Sequence, residues 1–180
     1  MGNDSIDLGL RNIWRSWFAF RRGKRKTGEF HEFQYHLEKN LSQIADDLEK
    51  VKYRHGPYRK FIVADNKRRE ISVASIRDRV VHRLVYDHLT PIYDKTFIYD
   101  AWSCRVGKGL LGAIQRAQYF LKKSLNAFVW RGDIEKFFDS VNHATLLTIL
   151  ARKIKDERAY ALLREISLVF IKNWRLTTWQ

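Results

Sequence analysis

The sequence predicts an α+β fold, rich in helix and carrying one β-hairpin, and three observations predict it. Apolar residues recur at three- and four-residue spacings along most of the chain, the mark of helices that bury one face. Only around residues 58–73 does the pattern alternate residue by residue about a polar turn, as in two paired strands. Across 180 residues, 45% are hydrophobic and 14% aromatic, enough to bury a core and to exclude a wholly disordered chain. Two prolines and nine glycines exclude a collagenous or low-complexity chain. The single cysteine, Cys104, excludes a disulfide framework and points to a reducing compartment.

Each element follows in order. Apolar positions 10, 13, 14, 17, 18 and 20 approach helical spacing, and Gly23 ends the pattern inside a cluster of Arg21, Arg22, Lys24, Arg25 and Lys26. Phe30, Phe33, Leu37, Leu41, Ile44, Leu48 and Val51 are three or four residues apart and predict one continuous amphipathic helix over 30–51. Asp46 and Asp47 fall on its polar, solvated side. Tyr58, Lys60 and Ile62 alternate with Arg59, Phe61 and Val63; Asp65, Asn66 and Lys67 supply turn residues before Arg69–Val73, which reads as a β-hairpin with a basic tip. Ser75 and Asp78 resemble a capping box with Asp in place of Glu. The helix they open carries Ile76, Val80, Val81, Leu84, Val85 and Leu89 and closes at Pro91. An irregular stretch over 91–112 precedes a helix over about 110–123. Ala127–Ile134 reads as a mostly buried strand ending in an acid. Asn142 is a good N-cap for a helix carrying Leu146, Leu147, Leu150 and Ile154, and a last helix covers about 157–173. No internal repeat or long linker interrupts the chain, and the expected divisions are 1–52, 53–125 and 126–180.

Lys and Arg number 34 against 20 Asp and Glu, a formal net charge of +14 and a pI near 10.0. Such a surplus points first to a polyanionic partner and second to an anionic membrane surface. No apolar run approaches a membrane span, and the N-terminus lacks the pattern of a signal peptide, so the expected location is the cytoplasm. The 21–26 cluster follows Trp14, Trp17, Phe18 and Phe20. These rings could stack on RNA bases beside phosphate-pairing cations, or pack inward. A mixture is expected, with rings mainly packed and cations outward. Cys104 is expected to be a small packed residue, and the six histidines show no metal-ligand spacing.

The sharpest local feature is Gly132-Asp133-Ile134-Glu135-Lys136-Phe137-Phe138-Asp139-Ser140-Val141. An acid at the end of a buried strand needs a cation to offset its desolvation, and a divalent metal is one solution; a turn cap or a neighbouring Arg is the other. The segment resembles the first catalytic motif of reverse transcriptases, Asp-Ile-x-x-Phe-Phe-Asp-x-Ile. Further matches precede it in the family's order. Arg69-Glu-Ile-Ser-Val-Ala-Ser-Ile-Arg-Asp-Arg79 is similar to Arg-Pro-Leu-x-Ile-Pro-x-x-Arg-Asp-Arg, with Glu70 and Ala74 replacing two prolines. Leu89-Thr-Pro-Ile-Tyr-Asp-Lys-Thr-Phe97 resembles Leu-x-Pro-x-Phe-x-x-x-Phe. Trp102-Ser-Cys-Arg105, then Gly107-Lys-Gly109, resembles Tyr-x-x-Arg-x-Gly-x-Gly. The flavour is that of bacterial retroelement enzymes of group II intron, retron or diversity-generating type.

The resemblance implies a right-hand polymerase. A basic helical extension (1–52) would precede fingers with a β-hairpin (53–125) and part of a palm (126–180). It implies addition of dNTPs to a DNA primer on an RNA template, with two Mg²⁺ ions about 3.5–4 Å apart. Asp133 would bind both ions, and the backbone carbonyl of Ile134 would hold the one that travels with the triphosphate. Arg69 would contact that triphosphate and Phe138 exclude a ribose 2′-hydroxyl. Otherwise Arg69 is a solvated turn residue and Phe138 a core aromatic. Arg21, Arg22, Lys24, Arg25, Lys26, Arg79, Arg105 and Lys108 are expected at nucleic acid, including any structured retroelement RNA. The family's second acidic pair, an aromatic-x-Asp-Asp turn, has no match after residue 141. The expectation is therefore a fragment of a reverse transcriptase, with a non-catalytic RNA-binding module as the alternative.

Overall fold

The computed structural model describes residues 5–64, 68–124, 126, 128–135 and 137–175. Its contacts divide the chain into two units, Met1–Leu89 with His143–Gln180, and Thr90–Asn142. The fold is helix-rich with one antiparallel hairpin, as the sequence predicts.

In the first unit α1 (Leu10–Arg21) packs on α3 (Leu37–Glu49), and α2 (Gly28–Tyr35) joins them. Trp17 is fully buried and is the ring around which they assemble. Its centroid lies 5.2 Å from those of both Phe30 and Phe33, and 5.9 Å from that of Phe20. Gly23, with φ +69°, takes the left-handed turn that ends the helical course after α1 at no steric cost. The single helix expected over 30–51 is two helices. His36 (φ −103°, ψ 31°) breaks it, and Asn40 Nδ2–H donates to the Phe33 carbonyl at 3.0 Å. A continuous helix would give that carbonyl to the amide of residue 37, so the side chain replaces a ladder bond. Asp47 is not merely solvated. Its carboxylate pairs with Arg77 at 2.8 Å, whereas Asp46 stays exposed with Lys50.

The hairpin forms where predicted, β1 (Arg59–Ala64) against β2 (Arg68–Val73), in a register pairing Arg59 with Val73 and Val63 with Arg69. Its expected turn residues, 65–67, lie outside the described residues. The helix α4 (Ile76–Tyr93) runs through Pro91 rather than stopping before it. The proline sits in the final turn, where its missing N–H deprives only the Asp87 carbonyl and little helix follows. Glu29 of α2 accepts the amide of Ile76 at 3.0 Å and so caps α4 from outside the helix.

The acid three residues after Ser75 does more than cap. The Asp78 amide donates to Ser75 Oγ at 3.1 Å, the first half of the expected capping box. The carboxylate does not reach back to the Ser75 amide. It accepts from Ser75 Oγ–H (2.7 Å), Tyr53 Oη–H (2.9 Å), the Gly56 amide (3.2 Å) and Arg77 (3.4 Å). Only 1% of Asp78 is exposed. Burial first, then the charge of Asp78, holds the Tyr53 phenol far above its ordinary value.

Returning to this unit after residue 142, α7 (His143–Ala151) packs against α8 (Glu157–Arg175). Asp156 caps α8, accepting from the amide of Arg158 at 2.8 Å, and it also accepts the amide of Ile6. Glu165 of α8 accepts the amide of His55 at 3.1 Å.

The second unit holds a 3₁₀ turn at Asp94–Thr96, a folded loop, α5 (Leu110–Lys123) and the short α6 (Phe137–Ser140). Arg105 fixes the loop by pairing with Asp94 (2.6 Å) and donating to the carbonyls of Ile98 and Ala101. Gly112 lets α5 approach Trp102; a Cβ there would lie 2.6 Å from the indole. Two expectations fail in this unit. Residues 128–134 form no strand, and Phe128, Val129 and Trp130 are exposed. A strand needs a ladder partner, and among the described residues the only ladder is β1–β2. Cys104 is exposed rather than packed, in the left-handed region at φ 58°.

Two outcomes check this framework. Asp78→Ala orphans a phenol, a hydroxyl and an amide at once and should destabilise the chain by about 2–4 kcal/mol in urea unfolding; a loss below about 0.5 kcal/mol contradicts its central place. Burial raises the Asp156 carboxyl, but the amides of Ile6 and Arg158, the Ser5 hydroxyl and the amide of Ala159 outweigh it and hold it below its ordinary 3.8. Its stabilisation is then fully present above that value and lost as pH falls through the lower folded one. Asp156→Asn should flatten the acid limb of the stability–pH curve measured by thermal melts.

Candidate nucleic-acid interface

Charges that form one group in composition separate in space. Arg77, Arg105 and Arg116 are committed within the chain, to Asp47 and Asp78, to Asp94 and to Asp100. The guanidinium of Arg105 holds the Asp94 carboxyl below its ordinary value. Lys108 lies over the rings of Tyr99 (3.8 Å) and Trp102 (4.5 Å) and donates to the Tyr99 carbonyl. Arg105 and Lys108, expected at nucleic acid, thus hold their own loop together. Arg22, Lys24, Arg25 and Lys26 are exposed, and Arg21 is partly covered beside Phe18. Of the rings before them, Trp17 and Phe20 are buried, Trp14 is half-buried and Phe18 is exposed, the expected mixture in its packing half.

A cavity of about 390 Å³ opens where the end of α1 meets α4. Ala19 and Phe20 form one side, Arg22 and Lys24 follow from the turn, and Arg79, His82, Arg83 and Tyr86 come from α4. Among the described residues, four cations and no carboxylate line it. The guanidinium of Arg79 sits over Phe20 at 5.3 Å, and its Nε is buried without a hydrogen-bond partner among the described residues. Arg83 pairs with Asp87 at 2.9 Å and lies over Tyr86. The structure therefore brings Arg22, Lys24 and Arg79 together. His82, Arg83 and Tyr86 join them, and sequence reasoning missed all three. Their signal was present: 79, 82, 83 and 86 keep helical spacing on the face beside the apolar one.

From the cavity wall His82 reaches His55, their Nε2 atoms 2.9 Å apart and their rings nearly parallel at 16° with centroids 5.0 Å apart. His55 Nδ1 lies 2.5 Å from the Gly56 carbonyl, which can only accept. His55 Nδ1 therefore carries the proton, and in the neutral pair its Nε2 accepts from His82 Nε2–H. Burial first, and His55 second, push His82 down to about 4.

The residues expected at the catalytic centre belong to different units of the chain. Arg69 is an exposed residue of β2 in the first unit, opposite Val63. Asp133 is exposed in the second unit, where its Oδ1 accepts the amide of Ile134 at 2.9 Å. The Phe138 side chain lies outside the described residues. Among those described, no group of three or more His, Cys, Asp or Glu could hold a metal ion, and no helix is long and apolar enough to cross a membrane.

No family profile matches the chain. It is similar to Protein YkfC of Escherichia coli, 27% identical over 135 residues, which are 72% of this chain and 35% of that protein. It is similar to the group II intron-encoded protein LtrA of Lactococcus lactis, 25% identical over 148 residues, 79% of this chain and 23% of LtrA. It is also similar to an uncharacterized 91 kDa protein in the cob intron of Schizosaccharomyces pombe, 26% identical over 129 residues, 69% of this chain and 16% of that protein. The chain thus has intron-encoded proteins as distant relatives and spans about a third or less of the length of these three.

Exposed cations should meet phosphates one by one. Replacing Arg22 and Lys24 together by Gln is expected to weaken RNA binding at all sequences alike and to reduce the salt slope of log K by about 1–2, read by fluorescence anisotropy across a salt series.

Proposed function

We propose that the chain is the fingers and opening palm of a group II intron-type reverse transcriptase, working on RNA in the cytoplasm. The observation that carries this reading is the ordered set of motif blocks from Arg69 to Val141 in a chain whose distant relatives include group II intron-encoded proteins. In it the basic turn after α1 and the α4 face contact the RNA template or the intron RNA. Arg69, near the tip of the hairpin, meets the triphosphate of the incoming dNTP as a charge-assisted donor. Phe138 excludes the 2′-hydroxyl.

Asp133 supplies one carboxylate toward Mg²⁺, with the Ile134 carbonyl beside it. Its exposure suits an ion ligand, and Oδ1 is already engaged by its own neighbour's amide. One carboxylate is too few for two ions that keep their water unless anionic oxygens replace it. The remaining ligands belong to a downstream palm motif that these residues do not include.

A second reading has its own support. The cationic cavity is complete within the first unit and does not involve Asp133, so the chain can serve as an RNA-binding module without catalysis. One experiment separates the two. In the product of the complete reading frame, Asp133→Ala should reduce Mg²⁺-dependent primer extension by orders of magnitude while RNA affinity holds. Near-normal extension by that variant would sink the polymerase reading.

A further inference from the structure

The His55–His82 pair has no place in polymerisation, yet His82 lines the cationic cavity. We propose that the α1–α4 cavity is a docking site for a polynucleotide phosphate, and that His82 takes up a proton at Nδ1 from solvent as the phosphate docks. This rests on the RNA-contact part of the function proposed above.

The hydrogen-bond geometry selects the atom. His55 Nδ1–H is held by the Gly56 carbonyl, so a proton added to His55 would fall on Nε2 and face the Nε2–H of His82 at 2.9 Å. Two donors cannot share that bond. A proton added to His82 falls on Nδ1 and leaves the bond intact.

The charges that face His82 set the sign. On its own helix lie Arg79, Arg83 and, buried, Asp78; from the turn after α1 come Arg22 and Lys24; from the 53–58 segment comes His55. Behind His55, Tyr58 stacks on its ring and Glu165 accepts its amide. Burial, His55 and Arg79 oppose a charge on His82 when the cavity holds no anion, the buried Asp78 carboxylate favours it only in part, and Arg83 is already paired with Asp87 on the same helix. A phosphate reverses the local sign. It supplies acceptor oxygens to guanidiniums, of which Arg79 has an unpartnered buried Nε, and it removes the like-charge opposition to an imidazolium. The complex then binds more protons than the free chain, so affinity must rise as pH falls toward the free value of His82, about 4, by up to roughly tenfold per pH unit.

The test measures binding of the chain to a short labelled oligoribonucleotide at fixed salt, at about pH 7.5 and about pH 5. The ratio of the two affinities should be roughly tenfold larger for the wild type than for His82→Gln, which cannot take up the proton. Because the other histidines and carboxylates remain in both, the difference isolates His82. Calorimetry of the unmodified chain near pH 5, in buffers of different ionisation enthalpy, should show net proton uptake on binding, independently of how the variant folds. Equal affinity ratios, or no proton uptake, overturn the coupling. Unchanged RNA affinity in Arg79→Gln with Arg83→Gln overturns the docking site itself, as does tighter binding to phosphatidylglycerol vesicles than to RNA. Neither of those last outcomes touches the polymerase reading of Asp133, which primer extension reports.

Discussion

The first unit depends on one buried carboxylate. Asp78 sits near the start of α4, yet its oxygens hold a phenol and an amide from the 53–56 segment and a hydroxyl from the turn that enters α4. Arg77, one residue earlier, carries the same network on to Asp47 of α3 and the Arg54 carbonyl. Three stretches, at Asp47, at 53–56 and at 75–78, are thereby fixed around one charge. A buried, hydrogen-bonded charge is a weak source of net stability but a strict one: few arrangements satisfy all its partners. That strictness sets the direction in which α4 leaves the network, and so which of its side chains face the end of α1.

That direction matters for function because one helix serves two masters. The face at Ile76, Val80, Val81, Leu84 and Val85 is buried in the core, and the adjacent stripe at 79, 82, 83 and 86 lines a cationic cavity. A small rotation of α4 about its axis would spoil both. The net charge of +14 is therefore a poor measure of the interface. Several of its cations are structural, clasping carboxylates or lying on rings inside their own loop, whereas Arg22, Lys24 and Arg79 meet at one cavity.

Much of this was legible in the sequence. The hairpin, α1, α5 and α8 came from periodicity and turn residues because each is governed by local pattern. What stayed hidden was non-local. The break at His36 needs Asn40 to take the Phe33 carbonyl, which apolar spacing cannot express. The passage of α4 through Pro91 turned on how little helix remained. The stretch 128–134 has the composition of a buried strand, but composition names a preference and a ladder needs a neighbour. At the interface, the conspicuous cluster at 21–26 was readable, whereas His82, Arg83 and Tyr86 were masked by the stronger apolar signal interleaved with them. Arg105 and Lys108 show what a motif leaves unsaid, because a cation in a recognisable pattern can also hold its own loop together.

The hairpin has a mechanical side. Its base is tethered at Arg59 by a mostly exposed pair with Glu29 at 3.5 Å, a weak restraint, and at Val73 by continuity into Ala74 and the Asp78 network. Arg69 stands four residues along β2 from Val73, roughly 14 Å out at strand rise. A two-stranded ribbon on an asymmetric hinge works as a lever: a tilt of about 10° at its foot carries Arg69 through about 2.5 Å, close to the difference between a hydrogen bond and none. Whatever stiffens the foot of the ribbon therefore meters the reach of its arginine.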